Sequence, residues 1–140
     1  YIYVDNIIFP FEYETLPEIG KVFFPNIKIG LETINGIVKY NFIVDTGADL
    51  TTLPKHMAYR LGVDLKKAKR SVAQGLGGHT VQTWLIKLKL LLSPQISVFV
   101  RASITDENST PFLLGRADLL DKFFSWNFDC KKKKIIFEKI

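Results

Sequence analysis

The sequence predicts a mainly β fold, in the form of a small closed β-barrel with two short helices. Short stretches of β-branched and aromatic residues recur along the chain, and turn signals separate them. Several stretches alternate apolar and polar residues, which is typical of an antiparallel sheet with one buried and one solvated face. The chain lacks the regular alternation of strands and helices that predicts a parallel α/β sheet. Many short strands of this kind favour a barrel.

The 140 residues are expected to form one domain, because 47% of them are hydrophobic and this length can bury a core. Residues 1–20 contain two prolines and three glutamates, and they are expected to form an extended N-terminal arm. No apolar run approaches the roughly 20 residues that span a bilayer, so no membrane contact is expected here. The chain starts at Tyr1 rather than at Met, as a fragment or processed form would. The cytoplasm is favoured, and a targeting or anchor segment could precede Tyr1.

The net charge of +5 and the single cysteine limit the functional classes. Much of the positive charge lies in residues 66–70 and 131–134, and the second run is interpreted as a solvated hairpin turn. Nucleic-acid binding would favour basic residues interleaved with exposed aromatics, so it is kept as a minor alternative. Cys130 alone cannot form an internal disulfide. Neither His56 nor His79 has neighbours with metal-ligand spacing, so no metal is expected.

Strand signals begin after the N-terminal arm. Residues 22–24 and 27–32 are predicted strands, and Asn35-Gly36 is a strong signal for a type I′ hairpin turn. Residues 37–42 return as the second strand of this hairpin and lead directly to Asp45. A carboxylate is therefore expected at the end of a rigid strand.

Beyond this hairpin, further strands are combined with two short helices. Pro54 lies early in the first helix and Gly62 just after its end, the positions that these residues prefer. The predicted elements are a helix over residues 54–61, strands over 71–74, 80–92 and 96–104, a short apolar strand over 112–114, a helix over 116–123, and a last hairpin over 124–130 and 134–140.

The most informative stretch is the run of residues 42–54, which contains Asp45-Thr46-Gly47. Gly47 permits a tight backbone with close approach of another group, and Asp49 can bond to neighbouring amides. An Asp-Thr-Gly sequence alone occurs often in ordinary turns. The apolar run before it and the Ala-Asp after it favour a catalytic role for Asp45.

A second stretch, Gly75-Leu76-Gly77-Gly78, lies between two predicted strands and is expected at the tip of a long hairpin. Three glycines in four residues let backbone amides come close to a bound molecule. A phosphate-binding loop is disfavoured, because neither a helix nor a Gly-Lys-Ser/Thr sequence follows. On its own, the stretch would be an ordinary flexible hairpin.

A third stretch joins the aliphatic residues Leu113 and Leu114 to Gly115 and Arg116, at the start of a predicted helix. On its own, Arg116 would be interpreted as a surface helix residue.

In this order and spacing, the three stretches resemble the active-site loop, the flap and the second signature of retropepsin-like aspartic proteases, the family of the retroviral proteases. The resemblance covers about residues 42–123, and the chain departs from compact viral members at both ends. It implies an aspartic endopeptidase, a peptide hydrolase without a metal or organic cofactor. It implies that Asp45, Thr46 and Gly47 form the catalytic loop, and that Arg116 pairs with Asp49. By the same resemblance, the expected substrate-binding residues are Ala48, Asp49, Gly75, Leu76, Gly77 and Leu113, and the expected supports of the loop are Gly115 and Arg116.

The resemblance further implies a homodimer. Hydrolysis by this chemistry uses two carboxylates around one water, one as base and one as acid. Of the eight aspartates, only Asp45 sits in an Asp-Thr-Gly setting, so the second carboxylate is expected from another copy across a two-fold axis. The expected partners are therefore a second copy and an extended peptide or protein substrate. The alternative is a catalytically silent module of the same shape that binds peptides or dimerises without turnover.

Overall fold

The computed structural model describes residues 6–122 and 124–139 of the chain. A short helix, α1 (Met57–Leu61), follows the sixth strand. The strands in chain order are β1 (Asn6–Pro10), β2 (Glu12–Leu16), β3 (Gly20–Phe24), β4 (Asn26–Thr33), β5 (Gly36–Val44), β6 (Thr51–Leu53), β7 (Lys69–Gln74), β8 (Thr80–Leu91), β9 (Ser97–Thr105), β10 (Leu113–Leu114), β11 (Phe124–Asp129) and β12 (Lys134–Lys139).

The largest sheet has the strand order β4-β5-β10-β6-β9-β8-β7. A pairing of Gly30 in β4 with Leu91 in β8 closes this sheet into a ring, from which β7 extends. The predicted mainly β fold is confirmed, and a closed ring of strands is found where a small barrel was expected.

The buried core draws on most strands of the ring. In β8, Leu88 and Leu90 are buried while Lys87 is exposed, which is the alternation that its sequence predicts. The largest fully buried side chains are those of Phe42, Phe137, Ile27, Ile29, Leu31, Leu53, Met57, Leu90, Ile104, Leu114, Leu119 and Ile135.

A three-stranded sheet of order β1-β12-β11 brings the two ends of the described chain together. Phe9 of β1 meets Phe137 of β12 edge to face, with ring centroids 5.3 Å apart, and Trp126 of β11 lies 3.8 Å from the same ring. The described part of the arm expected over residues 1–20 is built of paired strands, β1 and β2. Residues 1–5 lie outside the described residues.

The hairpin predicted at Asn35-Gly36 joins β4 to β5, but its turn is not of type I′. A type I′ turn needs positive φ at both central residues. Thr33 pairs with Gly36, so the central residues are Ile34 and Asn35, and of these four residues only Gly36 has a positive φ, +95°. The Asn35 N–H donates to Thr33 Oγ1 at 3.1 Å and supports this register.

Both helical predictions need correction. The first helix covers Met57–Leu61 rather than residues 54–61, and it ends at Gly62, whose φ is +69°. The second was predicted over residues 116–123, but Arg116–Leu120 forms a single irregular turn with extended backbone at Ala117 and φ of +69° at Asp118. Tertiary hydrogen bonds made by these two residues override helix propensity. Phe123 lies outside the described residues.

Candidate active site

Asp45 lies directly after β5, and its backbone is fixed on both sides. Its N–H donates to the Leu114 carbonyl at 3.0 Å, and the preceding Val44 N–H donates to the Pro25 carbonyl at 2.8 Å. The side chain of Asp45 is half-buried at the edge of the apolar core. The sheet therefore holds this carboxylate in one place and leaves part of it accessible.

The residues after Asp45 fold back onto its carboxylate. The Gly47 N–H donates to Asp45 Oδ1 at 2.9 Å, and the Ala48 N–H donates to the Asp45 carbonyl at 3.1 Å. A Cβ added at Gly47 would lie 3.2 Å from Asp45 Oδ1, which is tighter than ordinary contact. Glycine is therefore the residue that leaves the carboxylate undisturbed. Thr46 is exposed at the apex of the loop.

Arg116 braces this loop from the far end of the sequence. Its Nη1 donates to the Thr46 carbonyl at 2.7 Å, and its Nη2 forms an ion pair with Asp49. Two backbone bonds run alongside, from the Arg116 N–H to the Ala48 carbonyl at 3.0 Å and from the Ala117 N–H to the Asp49 carbonyl at 2.9 Å. The planar guanidinium can reach both acceptors at once, which an ammonium group cannot do in the same way.

Gly115 makes the close approach between the two segments possible. A Cβ at this position would lie 2.3 Å from the Leu50 carbonyl carbon and 2.7 Å from the Thr51 nitrogen. The Gly115 N–H donates to the hydroxyl of buried Thr51 at 3.2 Å. Leu113, in β10, pairs with Ile43 of β5 on one side and Thr52 of β6 on the other. The predicted support residues are thus brought directly against the Asp45 loop.

The glycine cluster lies at the end of the hairpin of β7 and β8. Residues 76–78 form a tight turn in which Gly77 and Gly78 have φ of +79° and +77°. The Gly75 N–H donates to the His79 carbonyl at 2.8 Å and closes the turn. Gly75 and Gly77 are exposed, and the side chain of Leu76 is not among those that the structure describes. The tip therefore presents backbone groups to solvent.

Asp118 is an important residue of this region that the sequence analysis did not single out. Its Oδ2 accepts the Arg101 backbone N–H at 2.8 Å and Nε at 2.9 Å, and its Oδ1 accepts Nη2 at 3.1 Å. Lys122 Nζ lies 3.3 Å from the same Oδ1. The hydrogen bond from the Arg101 side chain, followed by that from its backbone, holds the pKa of Asp118 well below its usual range. The one signal available in the sequence was an acid close to Gly115. The prediction of a helix over residues 116–123 gave Asp118 no role in this region.

Neither a cluster of metal ligands nor a long apolar helix is found in the described parts of the chain. Within residues 6–122 and 124–139, no group of three or more His, Cys, Asp or Glu side chains could hold a metal ion. The helical segments described are too short to cross a bilayer.

The chain is similar to known proteins in both sequence and fold. A family model described as "gag-polyprotein putative aspartyl protease" matches residues 32–120. The crystal structure of a retropepsin-like aspartic protease from Rickettsia conorii aligns with a TM-score of 0.60 at 26% identity, covering 96% of this chain and 99% of that chain. EIAV protease in complex with the inhibitor HBY-793 aligns with a TM-score of 0.51 at 22% identity, covering 77% of this chain and 93% of that chain. No curated protein gives a significant match.

The family match covers more than half of the chain and contains the Asp45 loop, the glycine-rich hairpin and the Gly115-Arg116 turn. The likeness to the EIAV enzyme adds the fold. The chain therefore belongs to the retropepsin-like aspartic proteases, in the family of the gag-polyprotein aspartyl proteases.

Proposed function

We propose that the protein is an aspartic endopeptidase that works as a homodimer and cleaves extended peptides. The observation that carries this proposal is the geometry of Asp45. Its carboxylate is mounted at the end of a rigid strand, one oxygen accepts the Gly47 N–H at 2.9 Å, and the group stays partly exposed. A carboxylate that is fixed in this way and partly exposed can contact a water molecule and a second carboxylate.

The second carboxylate is proposed to come from another copy, because the other acids near the loop are already engaged. Asp49 is paired with Arg116, and Asp118 with Arg101. Asp121 accepts the Asp118 N–H at 3.0 Å. A two-fold axis beside Asp45 would bring two identical carboxylates together, as an isologous contact requires.

In the proposed reaction the two Asp45 carboxyl groups share one proton. The ionised one takes a proton from the water, whose oxygen attacks the carbonyl carbon of the peptide bond. The protonated one gives its proton to the carbonyl oxygen, which forms a tetrahedral diol. When the C–N bond breaks, one carboxyl group returns a proton to the departing amine, and the other takes a proton from a hydroxyl of the diol. The carboxylic acid product keeps the oxygen of the water, and the dyad again holds one proton. Activity is expected at mildly acidic pH, where the pair holds one proton.

The proposed substrate lies as an added strand between the Asp45 loop and the glycine-rich hairpin. Gly47, Ala48 and Asp49 would contact its main chain, and the tip residues Gly75, Leu76 and Gly77 would close over it. Leu113 would contribute to a side-chain pocket, since it lies on β10 beside the strand that carries Asp45. No metal or organic cofactor is part of the proposal.

The test compares Asp45→Asn with the wild type in a peptide-library digest from about pH 4 to 7. The variant should fold and dimerise but cleave nothing, because an amide cannot act as the base. A matched control is Asp64→Asn, since Asp64 is exposed and its Oδ1 accepts the Lys66 N–H at 3.0 Å, a bond that Asn can keep. Cleavage by Asp45→Asn would exclude the mechanism. A wild type that binds peptides without cleaving them would instead indicate a catalytically silent module.

A further inference from the structure

The hairpin of β2 and β3 stands apart from both larger sheets. In the part of the chain that the structure describes, these two strands pair only with each other. Its base is fixed, because Asn26 donates to Glu12 Oε2 at 2.7 Å and Phe23 stacks on Phe11 with ring centroids 3.9 Å apart. Phe128 meets Phe23 edge to face at 6.1 Å. A two-stranded hairpin is marginally stable alone, so further packing of its outer part is to be expected.

Apolar side chains are exposed at the turn of the hairpin and also near its base. Ile19, at the turn, is 73% exposed, and the cross-strand neighbours Tyr13 and Phe23 are 39% and 36% exposed. Strands of this length reach about 17 Å, so the turn lies well beyond the anchored base. Burial of this aliphatic side chain against a partner would be favourable, because it would remove apolar surface from water.

The base of the hairpin lies next to the candidate catalytic loop. Pro25, which directly follows β3, accepts the Val44 N–H at 2.8 Å, and Asn26 pairs with Ile43. Val44 is the residue before Asp45. In the proposed dimer the two Asp45 carboxylates meet around one water, so the two-fold axis passes beside them. The hairpin therefore leaves the body of the protein close to the axis, where a second copy has to lie.

The charge of the hairpin also favours a second copy of the chain as its partner. It carries three glutamates, Glu12, Glu14 and Glu18, and one lysine, whereas the whole chain has a net charge of +5. The lysine, Lys21, lies over the Tyr13 ring at 4.5 Å. An acidic segment on a basic protein is attracted to a second copy, and it is repelled by nucleic acid and by anionic lipid.

We propose that the hairpin of residues 12–24 is a dimerisation arm, which lays its exposed apolar tip and its glutamates on the basic surface of a second copy. This inference rests on the homodimer of the proposed function and names the segment that stabilises it. The arm acts on the association of the two chains rather than on the chemistry at Asp45.

The first test measures the dimer dissociation constant by sedimentation equilibrium in the Asp45→Asn background, which prevents self-digestion. Ile19→Asp should raise this constant by about tenfold or more, because a buried apolar tip would become charged in both copies. The matched control is Ile37→Asp, since Ile37 is 62% exposed at the other end of β5, about 25 Å along the strand from Asp45. The control should leave the constant unchanged.

A second measurement needs no substitution. Hydrogen exchange of the amides in residues 14–22 should be slowed at concentrations where the dimer forms and should recover on dilution. Equal dissociation constants for Ile19→Asp and Ile37→Asp, or a chain that stays monomeric at all concentrations, would overturn the arm. The peptidase activity of the wild type tests the proposed function separately. If Ile19→Asp weakened the dimer but the wild type cleaved no peptide, the proposed function would be refuted and the arm would remain supported.

Discussion

Asp118 receives both the backbone N–H and the guanidinium of Arg101, so one carboxylate joins β9 to the turn that carries Arg116. The side chain of Asp118 is only 12% exposed, while that of Arg101 is 71% exposed. Because Arg116 in turn holds the Thr46 carbonyl and Asp49, the contact links β9 to the candidate catalytic loop. Predictions about stability and activity follow from this chain of contacts.

The stability of the fold should depend on the charge of Asp118. Its pKa is lowered in the folded chain from an ordinary value of 3.8, so its ionised form stabilises the fold above that value. This contribution is lost as the pH falls from about 5 downwards. Urea unfolding of the wild type and Asp118→Asn should be measured at one protein concentration. The difference between their free energies of unfolding should be largest near neutral pH and should shrink in acid. An unchanged difference across this range would contradict the assignment, and Asp64→Asn serves as a control.

Asp118→Ala should destabilise the fold more than Arg101→Ala does. Alanine removes the acceptor of the Arg101 backbone N–H and is strained at φ of +69°, and together these effects should cost about 2–3 kcal/mol in the free energy of unfolding. Arg101→Ala keeps the backbone donor and removes a mostly exposed side chain, so its cost should be clearly smaller. Chemical unfolding of both variants gives the comparison. Equal losses would show that the guanidinium alone holds Asp118.

Gly115→Ala should destabilise the fold severely, by about 3 kcal/mol or more, because its Cβ would meet the backbone of Leu50 at 2.3 Å. Gly75→Ala is a matched control. Both glycines have extended backbone, with φ of −92° and −99°, but a Cβ at Gly75 would have its nearest neighbour at 4.0 Å. In thermal unfolding, the melting temperature of Gly75→Ala should be close to that of the wild type. If both variants were equally stable, the close packing of the two segments would be refuted.

Arg116→Lys should lower kcat/KM for a peptide that the wild type cleaves by about tenfold or more, since small displacements of catalytic groups have effects of this size. Lysine keeps the charge but cannot hold the Thr46 carbonyl and Asp49 together. Arg60→Lys is the control, because Arg60 is an exposed residue of α1 and its Nη1 donates to Tyr40 Oη at 3.3 Å. Equal kcat/KM values for the two variants would contradict the bracing role of Arg116.

The sequence predicts the elements whose structure is set by local pattern. The alternation in β8 identifies its buried face, and the apolar run before Asp45 identifies the strand that carries this residue. The glycine cluster indicates a hairpin tip, which is where residues 76–78 lie. In each case the deciding residues are neighbours in the chain, so a pattern of a few residues is sufficient.

The parts that the sequence does not predict depend on distant partners. Ala117 and Asp118 leave the helical conformation because their partners are the Asp49 carbonyl and Arg101. The pairing of β1 with β12 joins opposite ends of the chain, and no local signal records it. Even the Asn35-Gly36 turn is shifted by one residue, because the register is set by the pairing of whole strands.

The shortest strand of the ring has a consequence for the order of events during biosynthesis. Leu113 and Leu114 are inserted between β5 and β6, and the Leu114 carbonyl accepts the Asp45 N–H. The ribosome makes these residues long after Asp45, and Gly115 and Arg116 follow them. If the proposed peptidase activity needs this insertion, a nascent chain is expected to stay inactive until residues 113–116 have emerged from the ribosome.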